Sequence, residues 1–474
     1  MKTLLVTISI AAMSYCNAQV ALVGTSSHGG FGNHGTLFSV SSVGALDTLY
    51  NFNAGNNGCS PFGSMVTAND GNLYGFTASC GTNSVGTLIR YNPNTKVVST
   101  VIDFSTTIGD GPMGNLILGS DGDLYGMTNS GGTGGYGTIF KCTTTGVLTT
   151  LVNFNKTNGG SPCGTLREGA DGNFYGMTRF GGTSNIGIIF KCSPLGVLTV
   201  LHSFTGGADG EEPLGSVTIV KDSIMYGMTY AGGTYSGGTI FYCTTSGKYR
   251  LLTSLTSTTG MFPMGTLLNG KDGYLYGLGY YGGMWYDGTL FRCDDSGSVT
   301  VLANFTDSNG AYPMGSPTLG SDGNIYGTTS TGGNLTAKAG AIFKYDRVSS
   351  QLTDILQFCG TGPVQPMGDL MEMNTNVTGI NEVASVTNVS LYPNPNKGEF
   401  TLEVNNTETA SADTKDNVKL EVYNTVGQMV HTQNIQSDVK QSTINLGSEP
   451  SGVYIYKVVS DNSGMLANGR FVIE

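Results

Sequence analysis

Charged side chains are scarce in this chain of 474 residues, since Asp, Glu, Lys and Arg together make up only 12% of it. The 22 basic residues are outnumbered by 33 acidic ones, which gives a net charge of -11. Binding to nucleic acid requires a clustered surplus of Lys and Arg that neutralises phosphates, so we expect no nucleic-acid partner. Low charge does not indicate disorder here, because aliphatic and aromatic residues recur in register along the chain.

Several other features are rare. The apolar run from Leu4 to Met13 is shorter than the roughly 18 apolar residues that span a bilayer, and no other stretch reaches that length, so we expect no transmembrane segment. Only four histidines are present, and neither a Gly-x-Ser-x-Gly nor a His-Glu-x-x-His motif occurs, which argues against two common hydrolase sites. The 14 prolines are far fewer than the 73 glycines, which is typical of glycine-rich turns and not of collagen or a disordered linker.

What the chain does contain is a repeat of about fifty residues, a period typical of solenoids and propellers. Its most regular element is a Tyr-Gly pair, which begins at Tyr74, Tyr125, Tyr175, Tyr226, Tyr276 and Tyr326. Around these pairs lie short Thr-rich and aromatic segments separated by Asp-Gly and Gly. Such segments predict antiparallel strands joined by hairpins, and four strands per copy make one propeller blade.

The number of copies follows from a Pro-x-Gly signature that occurs seven times. It begins at Pro61, Pro112, Pro162, Pro213, Pro263, Pro313 and Pro366. The first copy lacks this opening segment, and the last signature, in residues 366–373, has no continuation. We therefore predict an all-β fold with a seven-bladed β-propeller of four antiparallel strands per blade, whose ring is closed when the C-terminal strand joins the first copy.

The N terminus predicts export. Lys2, the apolar run and the small residues up to Ala18 are typical of a signal peptide over residues 1–18, with cleavage before Gln19. A lipoprotein signal at Cys16 is the alternative, but Tyr15 stands where a small residue is expected. Export would place the remaining cysteines in an oxidising compartment.

Two roles are predicted for these cysteines. Cys59 precedes the opening strand of the second copy and Cys80 follows its second strand, so the hairpin places them opposite each other and predicts a disulfide. Four others occupy one equivalent position in successive copies, too far apart to bridge or to share a metal ion, so we expect buried thiols and no metal site. They are Cys142, Cys192, Cys243 and Cys293.

The chain changes character after Met373. Residues 374–388 are polar and lack the repeat, which indicates a linker between the propeller of residues 19–373 and a second domain. Residues 389–474 contain about seven short alternating segments, which predict a small Ig-like β-sandwich.

This second domain resembles the C-terminal sorting domain of type IX secretion substrates. The residues that carry the resemblance are Tyr392, Pro393, Asn394, Pro395, Gly398, Gly427, Gly452, Tyr454 and Arg470. Arg470 departs from the usual Lys of the family but keeps the charge. The resemblance implies that the type IX machinery is a partner, and that the protein is extracellular or lies on the outer cell surface of a Gram-negative bacterium. The repeats resemble the GloVer tandem repeat of bacterial secreted proteins, which implies architecture and location but no activity.

Function is therefore sought in the loops, because one fold hosts many functions. The sixth copy differs most from the others, and its loop holds the only Trp of the chain. Aromatic rings beside polar groups suit sugars, so we predict a glycan site without a cofactor. The ligand-binding candidates are Tyr280, Tyr281, Trp285, Tyr286, Tyr230 and Tyr235. The alternative is that these rings pack loop against loop.

Catalysis has less support from the sequence. His28, His34 and His202 are the histidines of the repeats, and a lyase or hydrolase acting on an extracellular polysaccharide is the enzyme alternative. The Asp-Gly turns each offer one carboxylate where calcium needs six to eight oxygens, so we predict that these Asp residues form hairpin turns. A purely structural or adhesive surface protein is the third alternative.

Overall fold

The computed structural model describes residues 21–221, 223–333, 336–359, 362–373, 388–392, 396–405, 418–424, 429–435, 441–447, 449–460 and 464–473. The chain divides into two compact units, Met1–Met373 and Asn374–Glu474. The predicted signal peptide and the predicted linker up to residue 387 lie outside the described residues. Within the described residues the only helices are two short 3-10 segments, Phe31–Asn33 and Gly207–Asp209. None of the described helices has the length and apolar character needed to cross a membrane.

The first unit contains seven four-stranded antiparallel sheets among its described residues, one for each copy. The innermost strands are Met371–Met373, Val66–Thr67, Ile117–Leu118, Arg167–Glu168, Thr218–Lys221, Leu268–Asn269 and Thr318–Leu319. The second strands are Ala21–Ser26, Leu73–Thr77, Leu124–Thr128, Phe174–Thr178, Ile224–Thr229, Leu275–Gly279 and Ile325–Thr329. The third strands are Thr36–Ser41, Thr87–Asn92, Thr138–Cys142, Ile188–Cys192, Thr239–Thr244, Thr289–Cys293 and Ala341–Asp346. The fourth strands are Leu46–Asn51, Val97–Asp103, Leu148–Asn153, Leu198–Ser203, Tyr249–Ser254, Val299–Asn304 and Gln351–Gln357. The prediction of an all-β repeat unit is confirmed.

The first sheet combines both ends of the unit, whereas the other six use four consecutive strands. Its innermost strand, Met371–Met373, pairs with Ala21–Ser26 in an antiparallel register that sets Val23 opposite Met371. Next to it, His28–Gly29 pairs with Pro363–Val364. These pairings are those expected if the last signature supplies the strand that the first copy lacks.

The apolar core lies between neighbouring sheets. All five residues of the second strand Leu124–Thr128 are buried, because sheets pack on both of its faces. The ring of Phe140 in the third copy lies 6.0 Å from that of Phe76 in the second copy. Gly126 of the Tyr-Gly pair makes room for this contact, since a Cβ there would meet both rings within 3 Å. The repeated Tyr-Gly pair is therefore a packing requirement.

The innermost strands are short, with two to four residues each. The residues before them form hydrogen bonds to the neighbouring copy and not to the second strand of their own sheet. The backbone N–H of Asn115 donates to Thr165 Oγ1 at 3.0 Å, and that of Ser216 donates to Thr266 Oγ1 at 2.9 Å. Each bond joins one copy to the next. We call this set the axial belt; its members are Ser64, Asn115, Thr165, Ser216, Thr266, Ser316 and Asp369.

The glycine of each Pro-x-Gly signature precedes the belt and lies against the next copy. A Cβ on Gly114 would collide with the backbone of Gly164. At the other end of the unit, a Cβ on Gly368 would meet the backbone of Phe62 and Gly63. Successive copies therefore approach so closely at this point that only glycine fits.

The Asp-Gly turns have a second role that the sequence did not reveal. Asp121 Oδ2 accepts a hydrogen bond of 2.6 Å from the hydroxyl of Tyr125, the residue of the Tyr-Gly pair. The same bond recurs in five copies; the pairs are Asp70 with Tyr74, Asp121 with Tyr125, Asp171 with Tyr175, Asp272 with Tyr276, and Asp322 with Tyr326. The Asp-Gly-x-x-Tyr pattern thus ties each hairpin turn to the core.

We expect this bond to make the unit sensitive to acid. Burial alone would raise the pKa of Asp121, but hydrogen bonds from Tyr125 and the Asp123 backbone hold it below its ordinary value of 3.8. A lowered pKa in the folded state stabilises the fold above the unfolded-state pKa, and this contribution is lost as the pH falls through the folded-state pKa. Tyr125→Phe should therefore cost about 1–2 kcal/mol of unfolding free energy at pH 7 and less at pH 3.

Urea unfolding of wild type and Tyr125→Phe at both pH values measures this difference. Tyr136→Phe is the control, because the Tyr136 hydroxyl has no hydrogen-bond partner within the described residues. An equal cost of Tyr125→Phe at pH 7 and pH 3 would show that the carboxylate does not act through this bond.

Six of the cysteines fall into the two predicted groups, whereas the partly buried Cys163 and the exposed Cys359 belong to neither. Cys59 and Cys80 form a disulfide with a Cα separation of 5.3 Å. Their hairpin is offset by one residue, since Cys59 pairs with Ser79, and Cys80 reaches its partner from a left-handed backbone conformation with φ of 61°. Four thiols at the equivalent position of successive copies are buried: Cys142, Cys192, Cys243 and Cys293.

Alkylation of the native chain at pH 8, followed by mass spectrometry, should distinguish these groups. Burial raises the pKa of Cys142 to about 11 and that of Cys243 to about 12, so both thiols should stay unmodified until the chain is unfolded. Cys59 and Cys80 should react only after reduction. Modification of Cys59 in the native, unreduced chain would contradict the disulfide.

The described residues of the second unit form two antiparallel sheets. The smaller contains Asn388–Tyr392, Glu399–Asn405 and Gln441–Asn445. The larger contains Met429–Ile435, Val418–Asn424, Gly452–Ser460 and Gly464–Ile473. Phe400 from the smaller sheet and Phe471 from the larger one share a hydrophobic core. The last strand, Gly464–Ile473, pairs along the whole of Gly452–Ser460.

Candidate functional site

The loops between the second and third strands lie beside the connections that lead from one copy to the next. Isolated pairings join the two kinds of segment: Met261 with Tyr281, and Ala311 with Thr331. Both lie at the end of the second strands that is remote from the Asp-Gly turns. We call this end of the first unit the loop face.

The loop of the sixth copy has a fixed backbone and exposed side chains. Tyr281 and Met261 exchange backbone hydrogen bonds of 3.1 and 2.7 Å. The N–H of Met284 donates to Asn304 Oδ1 at 2.8 Å. Trp285, the next residue, remains 60% exposed. The loop therefore presents its only indole to solvent on a backbone that is already ordered.

Several tyrosines lie close to Trp285 in the sequence, and their rings pack against one another and against Tyr312. The rings of Tyr280 and Tyr312 lie 5.3 Å apart, and those of Tyr281 and Tyr286 lie 5.6 Å apart. Tyr281 and Tyr312 are nearly parallel, with an interplanar angle of 3°. We call Tyr280, Tyr281, Trp285, Tyr286 and Tyr312 the aromatic ledge. Trp285, Tyr281 and Tyr286 are its exposed members.

The two candidates from the fifth copy have different surroundings. Tyr230 packs against Phe262 with ring centroids 5.3 Å apart, which is the loop-packing role considered as the alternative. Tyr235 is exposed and makes no ring contact within the described residues. The structure therefore joins Tyr280, Tyr281 and Tyr286 in one cluster and gives Tyr230 a packing partner of its own.

One pairing recurs between successive copies on the loop face. The residue that follows the second strand meets the residue before the proline of the next Pro-x-Gly signature. In the fourth copy these are Arg179 and Glu212, whose side chains form an ion pair of 2.8 Å. Tyr230 meets Phe262 and Tyr280 meets Tyr312 at the same two positions. The chemistry at these positions changes from ionic to aromatic between the fourth and sixth copies.

Sequence reasoning missed Phe262 and Tyr312, although a positional signal was present. Both residues precede a signature proline and have left-handed backbone conformations, with φ of 56° and 55°. The same conformation occurs before all seven prolines, at Ser60, Gly111, Ser161, Glu212, Phe262, Tyr312 and Gln365. An aromatic residue there costs roughly 1–2 kcal/mol relative to glycine. The fold tolerates this strain at the position that completes the aromatic ledge.

Carboxyl groups border the ledge. Burial raises the pKa of Asp287, the residue after Tyr286, although a hydrogen bond from the backbone of Asp307 opposes the rise. Asp307 forms an ion pair of 2.7 Å with Lys338. The carbonyl oxygen of Asp287 also accepts a hydrogen bond from the N–H of Tyr312 at 2.8 Å. The ledge thus combines exposed rings with groups that accept hydrogen bonds.

The three histidines of the first unit lie close to side chains of the fold itself. His202 Nε2 lies 3.1 Å from both carboxylate oxygens of Asp209, and its ring stacks on Tyr249 at 3.8 Å. His28 Nδ1 lies 2.9 Å from Ser27 Oγ. His34 lies close to the sulfur atoms of Cys59 and Cys80.

These three ligand atoms lie within 4.8 Å of one another and are the one cluster among the described residues with metal-binding spacing. The two sulfurs are joined in a disulfide and therefore lack the thiolate charge that binds a metal ion.

The sorting-motif residues lie in the second unit. Tyr454 is buried, and its hydroxyl donates to the carbonyl of Pro450 at 2.7 Å. Gly398 has φ of 88°, and a Cβ there would meet Gly447. Tyr392 ends the first strand of this unit, Gly452 begins a later one and Arg470 lies in the last. Pro393, Asn394, Pro395 and Gly427 lie outside the described residues.

Two family models match the chain. A model described as Gloeobacter/Verrucomicrobia repeat matches residues 12–224 and 196–390. A model described as secretion system C-terminal sorting domain matches residues 390–474. These matches confirm the two resemblances found in the sequence. A search of curated proteins gives no match.

Two solved structures resemble the chain at low identity. A candidate 6-phosphogluconolactonase from Bacteroides uniformis has a TM-score of 0.51 at 15% identity, over 75% of this chain and 99% of that chain. A puromycin hydrolase has a TM-score of 0.46 at 12% identity, over 84% of this chain and 61% of that chain. The first likeness supports a propeller-like fold and nothing about activity, and the second is too weak to carry an argument.

Proposed function

Because the chain belongs to the Gloeobacter/Verrucomicrobia repeat family and ends in a sorting domain, we propose that it is an exported, non-catalytic binding protein that recognises glycans. The sorting domain implies export by type IX secretion to the cell surface or the extracellular space. Within this proposal, residues 1–18 are removed as a signal peptide and residues 374–388 link the propeller to an Ig-like domain. The source is then a Gram-negative bacterium.

A closed seven-bladed ring is the proposed scaffold. It is supported by the strand Met371–Met373, which pairs with the first copy, and by the close approach of Gly368 to Gly63. The axial belt supports it too, because Ser316 donates to Asp369 at 2.5 Å and so joins the seventh copy to the first. A closed ring leaves no sheet edge free for another chain and holds the loops in fixed relative positions.

The observation that carries the binding proposal is the exposed side of the aromatic ledge. Trp285, Tyr281 and Tyr286 offer ring faces on which the C–H face of a sugar can stack. The carboxyl groups of Asp287 and Asp307 lie beside them and accept hydrogen bonds from sugar hydroxyls. Large aromatic side chains that remain exposed are typical of binding surfaces.

The proposal is tested by binding of the full mature chain to a panel of polysaccharides of bacterial, algal and plant origin, by co-sedimentation for the insoluble ones and by affinity electrophoresis for the soluble ones. We expect saturable binding to at least one neutral or acidic polysaccharide. Failure to bind any member of the panel would remove the glycan proposal and leave the structural alternative.

An extracellular polysaccharide hydrolase or lyase is the second candidate. It is favoured by Asp287, whose pKa is raised by burial and which adjoins the ledge, since a general acid needs a raised pKa. Release of reducing ends from a bound polysaccharide, abolished in Asp287→Asn, would replace the binding proposal by this one. Binding without product release supports the non-catalytic role.

A further inference from the structure

A cavity of about 760 Å³ lies along the axis of the first unit, on the side of the axial belt that extends to the Asp-Gly turns. We call it the axial chamber. The innermost strands line it, and Lys271 of an Asp-Gly turn lies at its rim. A separate cavity of about 90 Å³ borders the same belt and is lined by the central residues of the Pro-x-Gly signatures on the loop face. The axial chamber is therefore distinct from the aromatic ledge.

One residue in the wall of the axial chamber departs from the repeat. The first position of the innermost strand is apolar or Thr in six copies and Arg in the fourth. The residues are Val66, Ile117, Arg167, Thr218, Leu268, Thr318 and Met371. Since Val, Ile, Leu, Met and Thr all fit this position, the fold does not require a guanidinium there.

Arg167 has no hydrogen bond or ion pair from its side chain within the described residues. Burial lowers the pKa of Arg167, and the negative charge of the Asp369 carboxylate opposes this effect. The guanidinium remains protonated, since its ordinary pKa is above 12. A partly desolvated cation without a contact partner destabilises the fold, so its presence calls for a ligand.

The acidic residues of the chamber are already bonded. Asp369 accepts from the N–H of Ser316 at 2.5 Å and from Asn115 Nδ2 at 2.9 Å. Glu168 accepts from the N–H of Ser120, and Glu372 accepts from the N–H of Ser321 at 2.7 Å. None of them is within ion-pair distance of Arg167, so the five donors of its guanidinium remain available to a ligand.

We propose that Arg167 forms, in the axial chamber, a binding site for a small monocarboxylate that carries hydroxyl groups, as sugar acids do. The planar guanidinium matches a carboxylate through two parallel hydrogen bonds. Three carboxylates in the chamber wall disfavour a second negative charge on the ligand, which argues for a monoanion over phosphate. Side-chain oxygens and amides of the axial belt suit hydroxyl groups.

Titration calorimetry on the full mature chain tests this site, with sodium D-glucuronate as the probe and D-glucose and inorganic phosphate as comparisons. We expect D-glucuronate to bind at least about tenfold more tightly than either comparison. Arg167→Ile, which introduces the residue of the third copy, should weaken D-glucuronate binding by at least about tenfold and should not lower the melting temperature.

Arg167→Gln is a second variant that keeps polarity at the site, and it should lose binding as Arg167→Ile does. Lys248→Met, which removes an exposed positive charge outside the chamber wall, should bind as wild type does. The proposal is overturned if wild type does not bind D-glucuronate, if Arg167→Ile binds it as wild type does, or if phosphate or D-glucose binds as tightly.

Discussion

A chain without residues 366–373 should melt on the order of 10 °C below the full chain, because the deletion removes the innermost strand of the first sheet. The strand contributes buried Leu370, which packs with Leu22 and Phe38 of the first copy. Loss of such a buried side chain costs about 2–5 kcal/mol by itself. The deletion also removes Asp369 from the axial belt and leaves the backbone of residues 21–23 unpaired on one side.

Differential scanning calorimetry of the full chain and the deletion variant measures this effect. Leu370→Ala should give an intermediate decrease, whereas Met113→Ala, at an exposed position of another signature, should have little effect. A deletion variant that melts at the temperature of the full chain would contradict a ring that is closed by this segment.

Trp285→Ala should weaken binding to the polysaccharide identified in the panel by at least about tenfold, or roughly 1.4 kcal/mol. The melting temperature should stay unchanged, because the Trp285 side chain is 60% exposed and its loop is held by backbone hydrogen bonds. Tyr312→Gly should weaken binding through loss of support for Tyr280 and Tyr281. It should not strain the backbone, since Gly111 occupies the equivalent position.

Phe31→Ala is the matched control, because Phe31 is 83% exposed in the corresponding loop of the first copy and lies outside the aromatic ledge. Its affinity for the polysaccharide should equal that of wild type. If Phe31→Ala and Trp285→Ala weaken binding equally, the ledge is not the site.

Much of the fold could be predicted from the sequence because the same strand and turn pattern recurs in each copy. The hairpin at the Asp-Gly turn and the buried Tyr-Gly strand follow from turn chemistry and strand periodicity, as the third copy illustrates at Leu124–Thr128. The Cys59–Cys80 disulfide followed from the hairpin geometry, although the one-residue offset did not.

The contacts between copies could not be predicted in the same way. The hydrogen bond between Asp121 and Tyr125 depends on how the turn folds back over its own strand. The hydrogen bond between Asn115 and Thr165 depends on the distance between neighbouring sheets. Tyr312 joins the ledge because residues before a signature proline adopt a left-handed conformation, which no propensity predicts for Tyr. The difference between Arg167 and the residues at the same position of the other copies becomes evident only when the seven innermost strands are aligned in space.

Glycan recognition by the aromatic ledge is measured most directly by a fluorescence titration of the full chain, because Trp285 is the only tryptophan and lies in the proposed site. Oligosaccharides from the bound polysaccharide should shift its emission to shorter wavelength and protect it from acrylamide in a saturable manner, since stacking removes the indole from water. Saturable binding with no change in the emission or quenching of Trp285 would contradict glycan recognition by the aromatic ledge.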